Sequence, residues 1–293
     1  MKRILMISLI AATAFLVYAC DDNSTVLVAP DPPPATPQGV FSITGDGVVW
    51  VVFNGIYEQD VNRYIIWRSL DSINGFKQIG SVDAIPNPNL DLLVYQFADS
   101  SAVNGVTYFY AVSAEDFAGQ MSDLSAENVF DTPRPEGQVV LVANDIDSGK
   151  TAGFALSSQQ IVDDQSPLAD VYVDRLNGIM YMNAGNLDFI YGNIQDMGFT
   201  ASFDDISWAP TDGWSELGFV ELIQGHTYVV YTQTRNYAKF RVDAVNPSAG
   251  FVSMTWAFQT VVDNPELAPA QPAQPRRRQD KKTVLAETVS AVE

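Results

Sequence analysis

Few residues in this chain of 293 could do chemistry, because it has one histidine, His226, and one cysteine, Cys20. A Ser-His-Asp site would have to use His226, but no G-x-S-x-G motif accompanies it. A zinc site with three histidines is excluded by the count. Carboxylates are paired at Asp163-Asp164 and at Asp204-Asp205, yet acid-base catalysis needs two carboxyl groups about 5–9 Å apart across a cleft. We therefore predict a non-enzymatic protein, with a small carbohydrate-active or calcium-dependent hydrolase as the last alternative.

Aromatic and cationic side chains in the second half of the chain are candidate ligand-binding residues. Trp208 and Trp214 bound the segment W-A-P-T-D-G-W, where they could stack on a planar ligand or sugar, or plug the end of the fold. Tyr237, Lys239 and Arg241 alternate along a predicted strand and therefore share one face. Two cations beside an aromatic ring could hold an anionic group, or pair with acidic residues on neighbouring strands.

Two further segments invite a binding hypothesis. His226 lies in Q-G-H-T, a predicted turn before a strand, where it is either a ligand or an ordinary surface residue. The segment N-D-I-D-S-G (144–149) imitates the start of a calcium loop, but the twelfth position counted from Asp145 is Leu156 rather than glutamate. Calcium at a loop of a β-domain and a plain Asp/Gly turn both stay open.

The position of Cys20 indicates where the protein is found. Lys2 and Arg3 precede an apolar run, Ile4–Val17, which is shorter than the ~20 residues of a membrane-spanning helix. A basic start, a short apolar run and a small residue before the break are typical of a secretory signal peptide. With Ala19 directly before Cys20 and Val17 three residues before it, the segment resembles the lipobox of bacterial lipoproteins.

That resemblance implies removal of residues 1–19, acylation of the Cys20 thiol, and membrane lipid as a partner. Acyl chains give a durable anchor, since each buried methylene contributes about 0.8 kcal/mol. The resemblance thus implies an extracytoplasmic protein of the cell envelope, either periplasmic or on the cell surface. With its single thiol acylated, the protein would contain no disulfide.

The charge of the chain excludes some partners. The formal net charge is −19, and five of the 16 basic residues fall within residues 276–282. The rest of the chain is therefore more acidic still and would repel nucleic acid. We expect instead a protein or polysaccharide partner at the envelope.

Composition divides the chain into five segments. Residues 1–19 are the signal peptide, and residues 20–38 are the lipidated cysteine and a proline-rich spacer, extended at about 3.1 Å per residue. Short strands with turn signals follow in residues 39–133 and again in residues 136–263. Residues 264–293 lose hydrophobicity and are predicted to be a disordered basic tail. The fold class is all-β, with two β-sandwich-like domains.

The first domain resembles fibronectin type III domains. The resemblance is carried by Y-I-I-W-R-S (64–69), by G-V-T-Y-F-Y-A-V-S-A (105–114) and by D-F-A-G-Q-M-S-D-L-S (116–125). It implies that the hydroxyl of Tyr108 bonds to nearby backbone in a tyrosine corner. The family's core tryptophan is replaced by Phe53 or displaced to Trp50.

The second domain contains two predicted hairpins, one turning at Asn177-Gly178 and one near Arg235-Asn236. Short helices are possible around residues 153–162 or 193–197. The order D-V-Y-V-D-R-L-N-G-I-M-Y-M-N-A-G, S-F-D-D-I, Y-V-V-Y-T-Q-T-R-N-Y-A-K-F-R-V and W-A-F-Q resembles haem-binding lipoproteins of the HmuY type. That family implies haem capture through side-chain axial ligands, for which this chain offers His226, Met180, Tyr181 or Met182.

Together these patterns predict a membrane-anchored, non-enzymatic envelope lipoprotein whose second domain captures a ligand or partner, haem being the specific version. The alternative is a structural or adhesive surface protein.

Overall fold

The computed structural model describes residues 31–86, 93–186, 190–191, 193–269 and 285–286. Cys20, the predicted signal peptide and most of the predicted basic tail lie outside these residues. In the described part, no helix has the length and apolar character needed to cross a membrane.

The first seven strands form a β-sandwich of two antiparallel sheets. Their bounds are β1 (Gln38–Gly45), β2 (Val48–Asn54), β3 (Val61–Ser69), β4 (Lys77–Asp83), β5 (Val94–Asp99), β6 (Tyr108–Asp116) and β7 (Val129–Asp131). One sheet has the order β1-β2-β5 and the other the order β4-β3-β6-β7. This arrangement is that of a fibronectin type III domain, and the all-β prediction is confirmed.

Aromatic residues fill the core of the first sandwich. The rings of Phe53, Tyr64 and Tyr95 pack together with centroids 4.7–5.6 Å apart. Phe53 is fully buried whereas Trp50 is 37% exposed, so Phe53 occupies the core. The hydroxyl of Tyr108 accepts a hydrogen bond from the Val103 N–H at 3.3 Å, which is the predicted tyrosine corner.

Two serines close most of the free edge of β6. The N–H groups of Val112 and Ala114 donate to the hydroxyls of Ser125 and Ser122, at 3.1 and 2.9 Å. These serines belong to the M-S-D-L-S segment that closes the fibronectin-like motif. Because they satisfy the backbone beyond the short β7, that edge is not left open for pairing with another chain.

The second sandwich is built from the later strands. Their bounds are β8 (Glu136–Val142), β9 (Gly153–Ala155), β10 (Gln160–Val162), β11 (Val171–Leu176), β12 (Ile179–Asn186), β13 (Ile190–Tyr191), β14 (Asn193–Phe199), β15 (Phe219–Glu221), β16 (His226–Tyr231), β17 (Tyr237–Asn246) and β18 (Phe251–Phe258). One sheet has the order β10-β9-β11-β12-β13, with β15 also paired to β12, and the other has the order β14-β16-β17-β18-β8. A two-residue strand, β19 (Leu285–Ala286), pairs parallel with β5 of the first sandwich.

Both predicted hairpins form. Asn177 and Gly178 have φ angles of 52° and 79°, as a type I′ turn requires, and Leu176 pairs with Ile179. The possible helices were wrong, because residues 153–162 and 193–197 lie in strands and a connecting turn. The described helix is instead α1 (Asn144–Asp147), followed by a 3₁₀ turn at Phe203–Asp205.

The second core lies between its two sheets. Along β18, Val252, Met254, Trp256 and Phe258 are buried, because alternate residues of a strand point to the same face. The corresponding inward residues of β17 are the fully buried Ala238, Phe240 and Val242. The opposite face of β17 therefore carries Tyr237, Lys239 and Arg241, as predicted.

A second tyrosine corner, which the sequence analysis missed, fixes the start of β16. The Tyr228 hydroxyl accepts from the Ile223 N–H and donates to the Glu221 carbonyl, both at 2.8 Å. The same offset of five residues joins Tyr108 to Val103. The repeated pattern G-x-T-Y, at residues 105–108 and 225–228, is the sequence signal for both corners.

The proline-rich segment meets the first sandwich before the predicted end of the spacer. Pro34 and Pro37 are buried, and the Ala35 N–H donates to both carboxylate oxygens of Glu58, at 3.1 and 3.2 Å. The last residues of the segment predicted as spacer are therefore part of the folded body.

Tyr228→Phe should lower the free energy of unfolding by about 2 kcal/mol, because it leaves a peptide N–H and a carbonyl without their buried partner. The matched control is Tyr181→Phe, since no hydrogen bond of that hydroxyl is found among the described residues and its ring packs against Phe219. Urea unfolding monitored by fluorescence measures both variants. Equal losses in the two would contradict the assigned role of the Tyr228 hydroxyl.

Candidate functional site

Lys239 is not an exposed ligand-binding cation. Its side chain is fully buried, and Nζ donates to the carbonyls of Phe203 and Ile206, at 2.8 and 3.3 Å, and to Asp204 Oδ1 at 3.1 Å. Nζ also lies 4.2 Å from the centre of the Phe203 ring. Burial, with the nearby Arg134 charge, lowers the pKa of Lys239 to about 7. The loop after β14 therefore covers Lys239, whose ammonium group is not exposed as the predicted role in anion binding assumed.

The other aromatic candidates do not share one environment. Trp214 and Tyr237 pack against a small apolar cluster of Ala209, Val229 and Leu267. Trp214 thus plugs the outer face of the sheet, which is one of the two predicted roles for the tryptophans. Trp208 is 48% exposed, and its backbone pairs with that of Glu266. The two tryptophans therefore play different parts.

Arg241 keeps part of its surface but is held by local contacts. One guanidinium N–H donates to the Thr200 carbonyl at 3.2 Å, and another lies 3.4 Å from Asp243 Oδ1. Thr255 donates to the second oxygen of the same Asp243 at 2.8 Å. Arg241 therefore pairs with an acid of its own strand, β17, whereas the alternative prediction for this face placed the acidic partners on neighbouring strands.

His226 begins β16, and its Nδ1 lies 2.9 and 3.1 Å from the two carboxylate oxygens of Asp196. The ring stands beside Tyr228 at 6.4 Å between centroids. Met180 and Met182 point into the core of the second sandwich, with 1% and 0% exposure. The candidate haem ligands are therefore divided between the surface and the interior.

The side chains that could bind a metal ion are not grouped together in the described ranges. These contain no group of three or more His, Cys, Asp or Glu side chains that could hold a metal ion. In the calcium-like segment, Asp145 pairs with Arg175 at 2.7 Å. Asp147 accepts from the Thr151 hydroxyl. Asp205 caps the 3₁₀ turn by accepting from the Ser202 N–H.

Two surface depressions lie in the first sandwich. One, of about 70 Å³, lies where Tyr57, Ile85 and Phe117 meet. The other, of about 330 Å³, is lined by Ile73 and Leu124 among others. The second is at the lower end of the ~300–1,000 Å³ usual for ligand pockets.

A buried polar region that the sequence analysis missed lies between the two sandwiches. The connecting segment, residues 131–135, is buried over its first four residues. The Pro133 carbonyl accepts from the Gly105 N–H at 2.8 Å, on the side of the first sandwich. The Pro135 carbonyl accepts from the Phe258 N–H at 2.9 Å, on the side of the second. The connection is therefore bonded to both bodies.

Six ionisable residues meet at this boundary, and we call them the boundary cluster: Asp131, Arg134, Glu136, Asp204, Lys239 and Glu266. Arg134 is 1% exposed and lies 3.5 Å from Asp204 and 3.7 Å from Glu136. Burial lowers the pKa of Arg134. Burial raises the pKa of Asp131 to about 7, although the Thr44 hydroxyl donates to this carboxyl at 2.6 Å.

The residues after β18 complete the boundary. Leu267 and Ala268 are buried, and both N–H groups donate to the Ser207 carbonyl. Glu266 accepts from the Thr132 hydroxyl at 3.0 Å. The first residues of the segment predicted as a disordered tail, which was taken to begin at residue 264, are therefore held at the boundary by two buried apolar residues and one acid. The remainder of the tail, apart from β19, lies outside the described residues.

Lys239→Met should lower the free energy of unfolding by about 3 kcal/mol, because it leaves Asp204 and the carbonyls of Phe203 and Ile206 without the buried donor that they share. Lys150→Met, at an exposed position of the same sandwich, should change it by less than about 0.5 kcal/mol. Urea unfolding of both variants provides the measurement. A neutral Lys239→Met variant would refute a structural role for this ammonium group.

No family model matches the sequence, and no curated protein matches it. Among solved structures, a Fn3-like protein from Clostridium thermocellum is 20% identical, over 34% of this chain and 98% of that chain, with a TM-score of 0.25. The FN1–FN3 domains of chicken CNTN1 are 14% identical, over 75% of this chain and 64% of that chain, with a TM-score of 0.28. The twitchin kinase region of C. elegans is 13% identical, over 78% of this chain and 39% of that chain, also at 0.28. This chain thus spans less than two thirds of the last two, and the fibronectin type III assignment rests on strand order.

Proposed function

We propose that this chain is a lipid-anchored protein of the bacterial cell envelope whose two sandwiches act as one rigid, non-enzymatic structural or adhesive arm. The observation that carries the proposal is the buried connection between the sandwiches. A flexible tether would leave its backbone in water, whereas Pro133 and Pro135 accept hydrogen bonds from opposite bodies.

A rigid arm presents a surface at a set distance from its anchor. Acylated Cys20 would supply the anchor and the proline-rich segment an extended spacer. Because Pro34 and Pro37 are buried, the spacer ends against the first sandwich and not in free solution. The acidic body keeps such an arm soluble and away from nucleic acid.

Exposed apolar residues of the first sandwich support an adhesive role. Ile73 is 80% exposed beside the larger depression, and Phe117 is 73% exposed at the smaller one. Side chains of this kind, next to a concave surface, suit a protein partner better than an ionic ligand.

Ligand capture by the second sandwich is the second candidate function, favoured by the half-exposed Trp208. Haem is its specific version, taken from the resemblance to HmuY-type lipoproteins. Against it, Met180 and Met182 are in the core and His226 already contacts Asp196. Axial ligation by a methionine would require this core to open.

The lipid anchor is tested on protein produced in a bacterium that processes lipoproteins. Mass spectrometry should find an N-terminal peptide that begins at Cys20 and carries acyl chains, and the protein should enter the detergent phase on phase separation. Cys20→Ser should stay in the aqueous phase. An unacylated N-terminus, or a retained leader, would overturn the anchored arm while leaving the fold unaffected.

Haem capture is tested by titrating haem into the full chain and recording the visible spectrum. Because the candidate axial ligands are divided between surface and core, we expect no Soret change that depends on His226, Met180 or Met182. A Soret band abolished by His226→Ala but kept in Trp50→Ala, a half-exposed control in the first sandwich, would instead establish haem capture as the function.

A further inference from the structure

The boundary cluster has an excess of acid. It holds four carboxyl groups and two cations, so full ionisation would leave two negative charges uncompensated at a largely buried site. Glu136 and Asp204 keep side-chain exposures of 32% and 27%, so water reaches both. Asp131 and Glu266 are 0% and 6% exposed. A buried carboxylate without a balancing positive charge is costly, and such a group usually binds a proton and becomes neutral.

The hydrogen bonds of Asp131 and Glu266 are half complete in the same way. Asp131 Oδ1 accepts from Thr44, while its Oδ2 has no hydrogen-bond partner among the described residues. Glu266 Oε2 accepts from Thr132, while its Oε1 likewise finds no partner in the described part of the chain. One residue ends β7 of the first sandwich and the other follows β18 of the second. A proton on the free oxygen of either carboxyl would remove the negative charge that burial penalises.

We propose that Asp131 and Glu266 together hold one proton at the boundary between the sandwiches, so that the boundary is most stable in mild acid and weakens as the pH rises to neutrality. The two groups are linked, because the negative charge of Glu266 raises the cost of ionising Asp131. Ser42 and Thr44 face Asp131 from β1 as neutral hydroxyls. The charged and titratable groups around the pair are Tyr110 on β6, Arg134 in the connection and, beyond Arg134, Glu136, Asp204 and Lys239.

The sign of the pH dependence follows from the direction of the shifts. Burial raises the pKa of Asp131 from 3.8 to about 7, and the Glu266 charge adds to the rise. The folded state therefore binds this proton more tightly than the unfolded state does. Its stabilisation is complete below the unfolded pKa and is lost as the pH rises through about 7.

Lys239 acts in the opposite direction and mostly at higher pH. The pKa of Lys239 is lowered from 10.5 to about 7, so burying its charged form costs stability at low pH. That cost is relieved as the pH rises from about 7 to about 10.5. Between pH 5 and 7 the Asp131 proton dominates. Over that window, loss of this proton should lower the equilibrium constant for folding roughly 50-fold, which is about 2.3 kcal/mol at 1.36 kcal/mol per tenfold change.

The test compares urea unfolding of the full chain in detergent at pH 5 and pH 7. Subtracting the pH dependence of Asp131→Asn from that of the wild type isolates the proton, because an amide does not titrate. The difference should be roughly 50-fold. Asp145→Asn, which breaks an exposed ion pair with Arg175, should keep the wild-type pH dependence. Glu266→Gln should move the loss of stability to lower pH, because it removes the neighbouring negative charge.

Equal pH dependences in the wild type and Asp131→Asn would overturn the proposal. If the variants fail to fold, carbon-13 NMR of the wild-type side-chain carboxyls decides the question. A titration midpoint near 7 for Asp131 supports the shared proton, and a midpoint near 4 for both carboxyls refutes it.

Discussion

The arrangement of the whole molecule depends on how Arg134 is accommodated. A guanidinium with 1% exposure is tolerated only where carboxylates surround it, and here they come from the first strand of the second sandwich and from the loop after β14. Asp204 lies between Arg134 and Lys239, within 3.5 Å of each. The loop that covers the outer face of β17 is therefore tied to the connection between the sandwiches by shared charge.

That constraint explains why the face of β17 that carries Lys239 is covered, whereas its sequence had suggested an exposed face. Tyr237 and Lys239 point outward from the sheet, as a strand of alternating residues requires. The loop then folds back to give the Lys239 ammonium three acceptors, and it brings Trp214 against the small apolar cluster on which Tyr237 also packs. A surface built for a ligand would leave such groups free. Here they stabilise the outer layer, and the exposed apolar side chains beside depressions lie on the first sandwich.

The fold was largely predictable, because its signals are local. Alternating apolar residues predicted β18, Asn177-Gly178 predicted a hairpin, and the motif around Tyr108 predicted the tyrosine corner. The second corner at Tyr228 repeats the G-x-T-Y pattern and was equally readable, although it was missed. The boundary between the two sandwiches could not be predicted in this way. Arg134 stands between two prolines and looks like an exposed linker residue, and its burial depends on Asp204, Glu136 and the segment ending at Ala268, which meet only in three dimensions.

The central claim is that the two sandwiches form one body, and the distance between spin labels placed on each tests it most directly. Leu70 and Leu176 are 70% and 62% exposed and suit labelling through cysteine, in a chain whose Cys20 is replaced by serine. Pulsed electron paramagnetic resonance should give a single narrow distance distribution, which broadens when Arg134 is replaced by glutamine. A broad or bimodal distribution in the unaltered boundary would show that the connection is a hinge and would contradict the account.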